Sequence, residues 1–315
     1  MSDFVIIPDA SSDLTKELRD RFNIPDYIRG TLYYPDGREA KADLDWEQMT
    51  PKEYYESMSG RKILYKTASA QRRDIIATYE KFLKQGKDVL GISLSSGLSG
   101  TNSVCRKVAE ELMEKYPGRK IIVVDSMRYS TALALICMMA SQKQAEGATL
   151  EETAAYVDAN KHRVHQIGPM DDMFFLVKTG RVSNFKAFFG TLIGINPMAD
   201  FNRQGMSQVL GKFKGKKNAF DAVIAYMQGT IEDPQEQVIF VAHSNREQAA
   251  HVLAQRIEET FHPKEIIINH VGMSCGASIG PGLCAAFYQG KEISENMVEE
   301  QALMDKIIAK QKEKK

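Results

Sequence analysis

Ser95-Ser96-Gly97-Leu98-Ser99-Gly100-Thr101 packs four hydroxyls and two glycines into seven residues, between the apolar run Val89–Leu94 and the helical pattern Thr101–Lys115. A strand that ends where a helix begins leaves the helix's first N–H groups without internal partners, and the helix dipole adds partial positive charge there. Glycine lets a ligand approach the backbone. Ser95, Ser96, Ser99 and Thr101 donate without adding positive charge, so the turn suits one compact anionic head better than a polyphosphate. The lysine of a P-loop is missing. Helix capping accounts for one such hydroxyl, not four.

Two further strand ends carry similar chemistry: Asp9-Ala10-Ser11-Ser12-Asp13 after Phe4–Pro8, and Asp125-Ser126 after Ile121–Val124. Ligands of open parallel sheets collect at such carboxyl ends. Lys66-Thr67-Ala68-Ser69-Ala70 follows Ile63-Leu64-Tyr65 and has two readings: it brings Thr67 to the serine turn, or it is simply a helix start with Ser69 as the N-cap.

The elements that must hold these residues are short apolar runs, Phe4–Pro8, Val89–Leu94, Ile121–Asp125, Val238–His243 and Ile266–Val271, which read as buried strands. Between them, Thr101–Lys115, Thr131–Glu146, Lys217–Gln228 and Arg246–Phe261 repeat apolar residues at three- and four-residue steps. The alternation predicts an α/β fold with parallel sheets. Thr149 and Glu152 form a capping-box pattern for a helix reaching about Lys161. The polar stretch after it ends in Gly168-Pro169, which places a domain junction near residue 165 and divides the chain into 1–165 and 166–315. The second half holds the short apolar Met173–Val177, a basic turn, the apolar Phe185–Ile195, and two strands across Asn196–Phe213 that turn at Gly205.

Length and composition narrow the function classes. The 315 residues suit two domains, and 41 Lys plus Arg balance 41 Asp plus Glu, so no bulk charge draws the chain to nucleic acid. No run reaches the roughly 20 apolar residues of a spanning helix, and the N-terminus has no signal-peptide pattern, so a soluble cytoplasmic protein is expected. Cys105, Cys137, Cys275 and Cys284 show no C-x-x-C spacing and read as small buried hydrophobes. No metal site is expected: His162 and His165 lack a third ligand, and His243 and His251 are too far apart for one helix face.

Taken together, these segments resemble the DegV family, whose members include the FakB fatty-acid-binding subunits of bacterial fatty acid kinase. Asp9-Ala10-Ser11-Ser12-Asp13-Leu14 is similar to the family's D-S-[TA]-[AS]-D-L start, and Ser95 to Thr101 matches its S-S-G-L-S-G-T turn. Val124-Asp125-Ser126, Val177-Lys178-Thr179-Gly180-Arg181-Val182-Ser183 and Ile279-Gly280-Pro281-Gly282 match V-D-[ST], [LV]-x-[KT]-G-R-[IV]-S and x-G-P-G in the family's order.

The resemblance implies two α/β domains with a ligand cleft between them, a buried acyl chain, and a long-chain fatty acid as ligand. It assigns the carboxylate to Thr67, in the place of the threonine of T-S-Q-P-S, and to Ser99, with Ser96 beside them. The remaining T-S-Q-P-S letters are replaced in Thr67-Ala68-Ser69-Ala70-Gln71. Where members commonly carry histidine two residues before G-P-G, this chain has Ser278, a donor that does not gain charge near neutral pH. Arg181 lies in a turn that resembles the loop by which FakB proteins meet their kinase, FakA. Lys212, Lys214, Lys216 and Lys217 form a second basic cluster, with three readings open: a solvated face, an extension of that surface, or a transient contact with anionic lipid at a membrane surface. No cofactor is implied, and the chain is read as a lipid-binding protein rather than an enzyme. The alternative is an acyl-ester hydrolase with Ser99 as nucleophile and His243 as base, although Gly97 to Thr101 is not the G-x-S-x-G elbow and no histidine stands beside an identifiable acidic orienter.

Overall fold

A computed structural model describes residues 3–183 and 195–313 of the chain. The apolar run Phe185–Ile195 lies, except for Ile195, outside the described residues. Two compact units emerge: Met1–Gln48, Leu64–Lys161 and Gly272–Cys275 form the first, and Met49–Ile63, His162–Val271 and Gly276–Lys315 the second.

In the first unit the chain runs through β1 (Phe4–Pro8), α1 (Lys16–Arg21), β2 (Thr31–Tyr33) and β3 (Glu39–Lys41), then leaves for α2 (Pro51–Ser57), which belongs to the second unit. It returns as β4 (Lys66–Ala68), α3 (Arg72–Leu83), β5 (Asp88–Ser93), α4 (Thr101–Lys115), β6 (Ile121–Asp125), α5 (Thr131–Ala145) and α6 (Leu150–Asn160). The sheet β1-β5-β6 is parallel throughout, with Phe4 opposite Asp88 and Val89 opposite Ile121. Every residue of β1 and β5 is buried, which is why both read as unbroken apolar runs rather than alternating ones.

The apolar stripes of α3 and α4, Ile75, Tyr79, Cys105, Val108 and Leu112, close one core with Val5, Ile7 and Val89. A fully buried side chain of this kind contributes about 1.5–3 kcal/mol. Gly91 in β5 is required by that packing, because a Cβ there would stand 2.4 Å from the Tyr79 hydroxyl. α5 is buried on all faces from Thr131 to Ala140, and α6 begins with the expected Thr149–Glu152 capping box. A small antiparallel sheet, β3-β2-β4, leaves β4 at its edge.

The second unit continues with β7 (Val164–Ile167), α7 (Phe174–Thr179), β8 (Val182–Ser183), β9 (Ile195–Phe201), β10 (Ser207–Lys214), α8 (Lys216–Thr230), β11 (Val238–His243), α9 (Glu247–Phe261), β12 (Glu265–His270), α10 (Met273–Ile279), β13 (Cys284–Gln289) and α11 (Val298–Glu313). The first residues of α10 count with the first unit. Gly205, at φ 74°, turns the β9–β10 hairpin as its sequence predicts. The other sheet, ordered β12-β11-β13-β7, is parallel only between β11 and β12. β11 and β12 pair in parallel as their alternation with helices predicts, whereas β13, a strand the sequence reading did not place, runs antiparallel to both of its neighbours. Gly280 and Gly282, both at positive φ around Pro281, turn the chain before β13 enters the sheet, a direction that strand and helix alternation does not encode.

Candidate functional site

The turn from β5 into α4 is built from its own serines. Ser95 is buried: its N–H donates to the Arg128 carbonyl at 2.9 Å, and its hydroxyl oxygen accepts from Gly97 N–H at 3.1 Å. Ser93 Oγ accepts from the Asn102 amide at 2.8 Å, which ties the first turn of α4 to the end of β5. The N-cap of α4 is Gly100, which has no side chain to bond the first N–H groups. Starting the helix involves Ser99 through Thr101 N–H and does not explain the other serines.

Ser99 and Thr101 instead bond to hydroxyls. Ser99 Oγ lies 2.9 Å from Thr101 Oγ1 and 3.0 Å from Ser69 Oγ, and it accepts from Thr101 N–H at 3.3 Å. Ser69 is exposed, while Thr101 is buried beneath Ser99. The partner from the 66–70 segment is thus Ser69, not Thr67. The expectation that Ser69 caps α3 also fails, because the N-cap there is Gln71 and it makes no side-chain cap. One sequence signal pointed to Ser69: it stands two residues after Thr67, and an extended chain places such residues on one face.

Thr67 sits in β4 opposite Leu32 of β2, and opposed residues of an antiparallel pair share a sheet face. Leu32 is completely buried, yet Thr67 is exposed, so the cover of that face ends at β4. All three residues of β4 are exposed. Ser96 is exposed as well, and its N–H donates to Asp125 Oδ1 at 3.2 Å.

The acidic strand ends position this turn from below. Asp9 is buried and accepts from Ser11 N–H and Leu94 N–H, both at 2.8 Å, which joins the end of β1 to the start of the serine turn. Burial pushes its carboxyl up from the ordinary range. Asp13, at φ 54°, accepts from the Ser130 hydroxyl, from Thr131 Oγ1 at 3.1 Å and from Gly272 N–H at 2.9 Å. Burial outweighs these bonds and raises it to about 6. Asp125 accepts from Met127 N–H at 3.1 Å, and Ser126 Oγ donates to the Arg128 carbonyl at 2.9 Å. Asp9 and Asp125 organise backbone, and Asp13 gathers two hydroxyls and one N–H.

The remaining predicted residues lie in the second unit. Ser278 is half-buried on α10. Arg181 is exposed just after Gly180, whose left-handed conformation ends α7, and its guanidinium bonds the Thr179 carbonyl. Lys214, Lys216 and Lys217 are exposed where β10 passes into α8 and Lys212 is half-buried; Lys216 and Lys217 border a surface groove of about 620 Å³ shared with Phe220, Arg246, Val252 and Arg256.

His243 is buried, and its Nδ1 accepts from Arg246 N–H at 3.1 Å. Burial first, then the neighbouring His270 and His251, lower it to about 4. A histidine with an acidic partner does exist, contrary to the sequence reading: His165 Nδ1 is 2.6 Å from Asp200 Oδ2. That pair is completely buried, and the other ring nitrogen is 2.8 Å from the Lys291 carbonyl. The four cysteines are buried, and burial raises the pKa of each thiol, as expected of packing residues. Among the described residues no group of three or more His, Cys, Asp or Glu is arranged to hold a metal ion. No helix among them is long and apolar enough to cross a membrane.

The sequence profile of the DegV family matches residues 3–291. The chain belongs to the DegV family. A DegV domain-containing protein of Clostridium perfringens is 31% identical over 290 residues, which cover 92% of this chain and 98% of that one. Among solved structures, a DegV lipid-binding protein from Thermotoga maritima superimposes with a TM-score of 0.80 at 23% identity, covering 92% and 99% of the two chains. A DegV-family protein from Thermus thermophilus, described for its fatty-acid binding, gives 0.80 at 23% identity over 91% and 99%. This is the DegV fold. Within it, the S-S-G-L-S-G-T motif of this member is the turn that carries Ser99.

Proposed function

We propose that this DegV protein binds one long-chain fatty acid, with the carboxylate at Ser99 and Thr67, Ser96 close by, and the acyl chain buried in the protein. One observation carries the reading: among the described residues the Ser99 hydroxyl is bonded to the hydroxyls of Ser69 and Thr101 and to the first N–H of a 15-residue helix whose N-cap is a glycine. That is a neutral donor set at a positive helix end, suited to a single carboxylate. The fatty-acid binding described for structural relatives from Thermus thermophilus and Thermotoga maritima supports it. Each buried methylene adds about 0.8 kcal/mol, so the tail supplies affinity and the hydroxyls supply orientation. Ser278 enters this proposal by family resemblance alone.

The protein presents this fatty acid to a kinase of the FakA type in the cytoplasm, which phosphorylates the carboxylate with ATP. Arg181 is the docking residue, and Lys212, Lys214, Lys216 and Lys217 give a transient hold on an anionic membrane surface. Hydrolysis has weaker support. Among the described residues the Ser99 contacts include no base, His243 at about 4 is a poor proton acceptor with its Nδ1 already engaged, and His165 is closed off by Asp200 and Lys291.

Titration with palmitate tests the proposal. Wild type should bind one equivalent, and Ser99→Ala and Thr67→Val should each bind more weakly. A wild-type protein that takes up no palmitate refutes it, and burst acylation of Ser99 by an activated acyl ester would establish hydrolysis instead.

A further inference from the structure

Ser69 is an exposed serine with no structural employment in the helix that follows it, since Gln71 is the N-cap of α3. Its hydroxyl oxygen is 3.0 Å from Ser99 Oγ. We infer that Ser69 is a head-group ligand of this chain, donating its own hydroxyl to the carboxylate beside Ser99. The inference rests on the fatty-acid reading above.

The count of protons and lone pairs supports it. Thr101 is buried with Ser99 Oγ as its hydroxyl partner at 2.9 Å, and Thr101 N–H also points to that oxygen at 3.3 Å. With the Thr101 hydroxyl donating, both lone pairs of Ser99 are occupied, and its proton is left to face outward. A hydroxyl that accepts in this way is a stronger donor. Outward lies Ser69. Without ligand, Ser99 donates to Ser69 and the Ser69 proton is left over. With a carboxylate present, the two adjacent hydroxyls each have an oxygen to serve. Thr67, two residues earlier and exposed on β4, is the third hydroxyl of the proposed head-group site. Thr101 is then a positioning residue: it touches no ligand and sets the direction of the Ser99 proton.

The test uses the full chain and palmitate labelled with carbon-13 at the carboxyl carbon, measuring affinity and the carboxyl resonance together. Ser69→Ala should weaken binding about tenfold, as loss of one hydrogen bond to a charged group does, and should shift the bound carboxyl signal. Ser69→Thr should restore both, with the thermal midpoint unchanged in either variant. Should Ser69→Ala fail to fold, Ser69→Cys keeps the side chain's place with a weaker donor, and the same loss is expected. If Ser69→Ala matches wild type in affinity and resonance while Ser99→Ala loses affinity, the inference falls and the fatty-acid reading stands. If wild type itself binds no palmitate, both fall.

Discussion

Asp200 in the second unit and Ser99 in the first are each the centre of a polar cluster, and they differ in what is left over. Asp200 is completely buried; its Oδ2 faces His165 Nδ1 at 2.6 Å and accepts from the Tyr226 hydroxyl at 2.9 Å, and its Oδ1 accepts from the N–H groups of Gln166 and Phe201 at 2.8 and 2.7 Å. Every acceptor site is used. Burial and Asp200 together push the Tyr226 phenol up, which keeps it a donor, and the His165 ring stacks on Tyr288 with centroids 5.4 Å apart. Around Ser99, by contrast, a chain of hydroxyls starts at a buried threonine and ends at an exposed serine. A closed network specifies structure, whereas an open one keeps donors for a ligand.

The largest effect is expected where the network is closed. Asp200→Ala leaves His165, Tyr226 and two backbone N–H groups without their acceptor, and should cost about 3–5 kcal/mol in urea unfolding. A loss under about 1 kcal/mol would show that the cluster is not the closed structural unit described here.

The titrating groups of the two units should respond to acid in opposite directions. His243 is lowered from 6.5 to about 4, so the unfolded chain takes up its proton first. The stability it contributes is present above pH 6.5 and is lost as pH falls toward 4. Asp13 is raised from 3.8 to about 6, so the native state takes up its proton first, and stability rises as pH falls from 6 toward 4. At 1.36 kcal/mol per unit, each accounts for roughly 3 kcal/mol. Unfolding free energies at pH 4 to 7 for His243→Gln and Asp13→Asn should therefore depart from wild type with opposite slopes. Equal slopes would contradict the assignment.

Smaller still is the effect of Ser99→Ala on the fold. Because Thr101 loses a hydroxyl partner and an acceptor for its N–H, unfolding should cost about 1 kcal/mol, well below Asp200→Ala, while palmitate affinity drops about tenfold. A stability loss as large as that of Asp200→Ala would erase the contrast. Arg181→Ala should change neither stability nor palmitate affinity, and should slow only phosphorylation of the bound fatty acid by a FakA-type kinase; unchanged phosphorylation would remove Arg181 from the docking surface.

Local pattern carried much of the fold. Phe4–Pro8, Ile121–Asp125, Val238–His243 and Thr101–Lys115 are elements at the residues their hydrophobic patterns predict, because burial of a strand or one helix face is written in consecutive side chains. The turn at Gly205 and the box at Thr149 are equally local. What escaped depends on distant partners. His165 and Asp200 are 35 residues apart, and Ser69 and Ser99 are 30 apart, so neither pairing has a spacing rule to reveal it. The reversal of β13 depends on two glycine dihedrals, and the crossings of 49–63 and 272–275 between units bring no shift in composition. The serine turn was legible as an anion site; its outermost hydroxyl was not.

Native mass spectrometry of the protein as purified tests the central claim most directly. The account predicts a species heavier than the 315-residue chain by one long-chain fatty acid, displaced by added palmitate in wild type and depleted in Ser99→Ala. A chain that is reproducibly bare and stays bare after incubation with palmitate would contradict it.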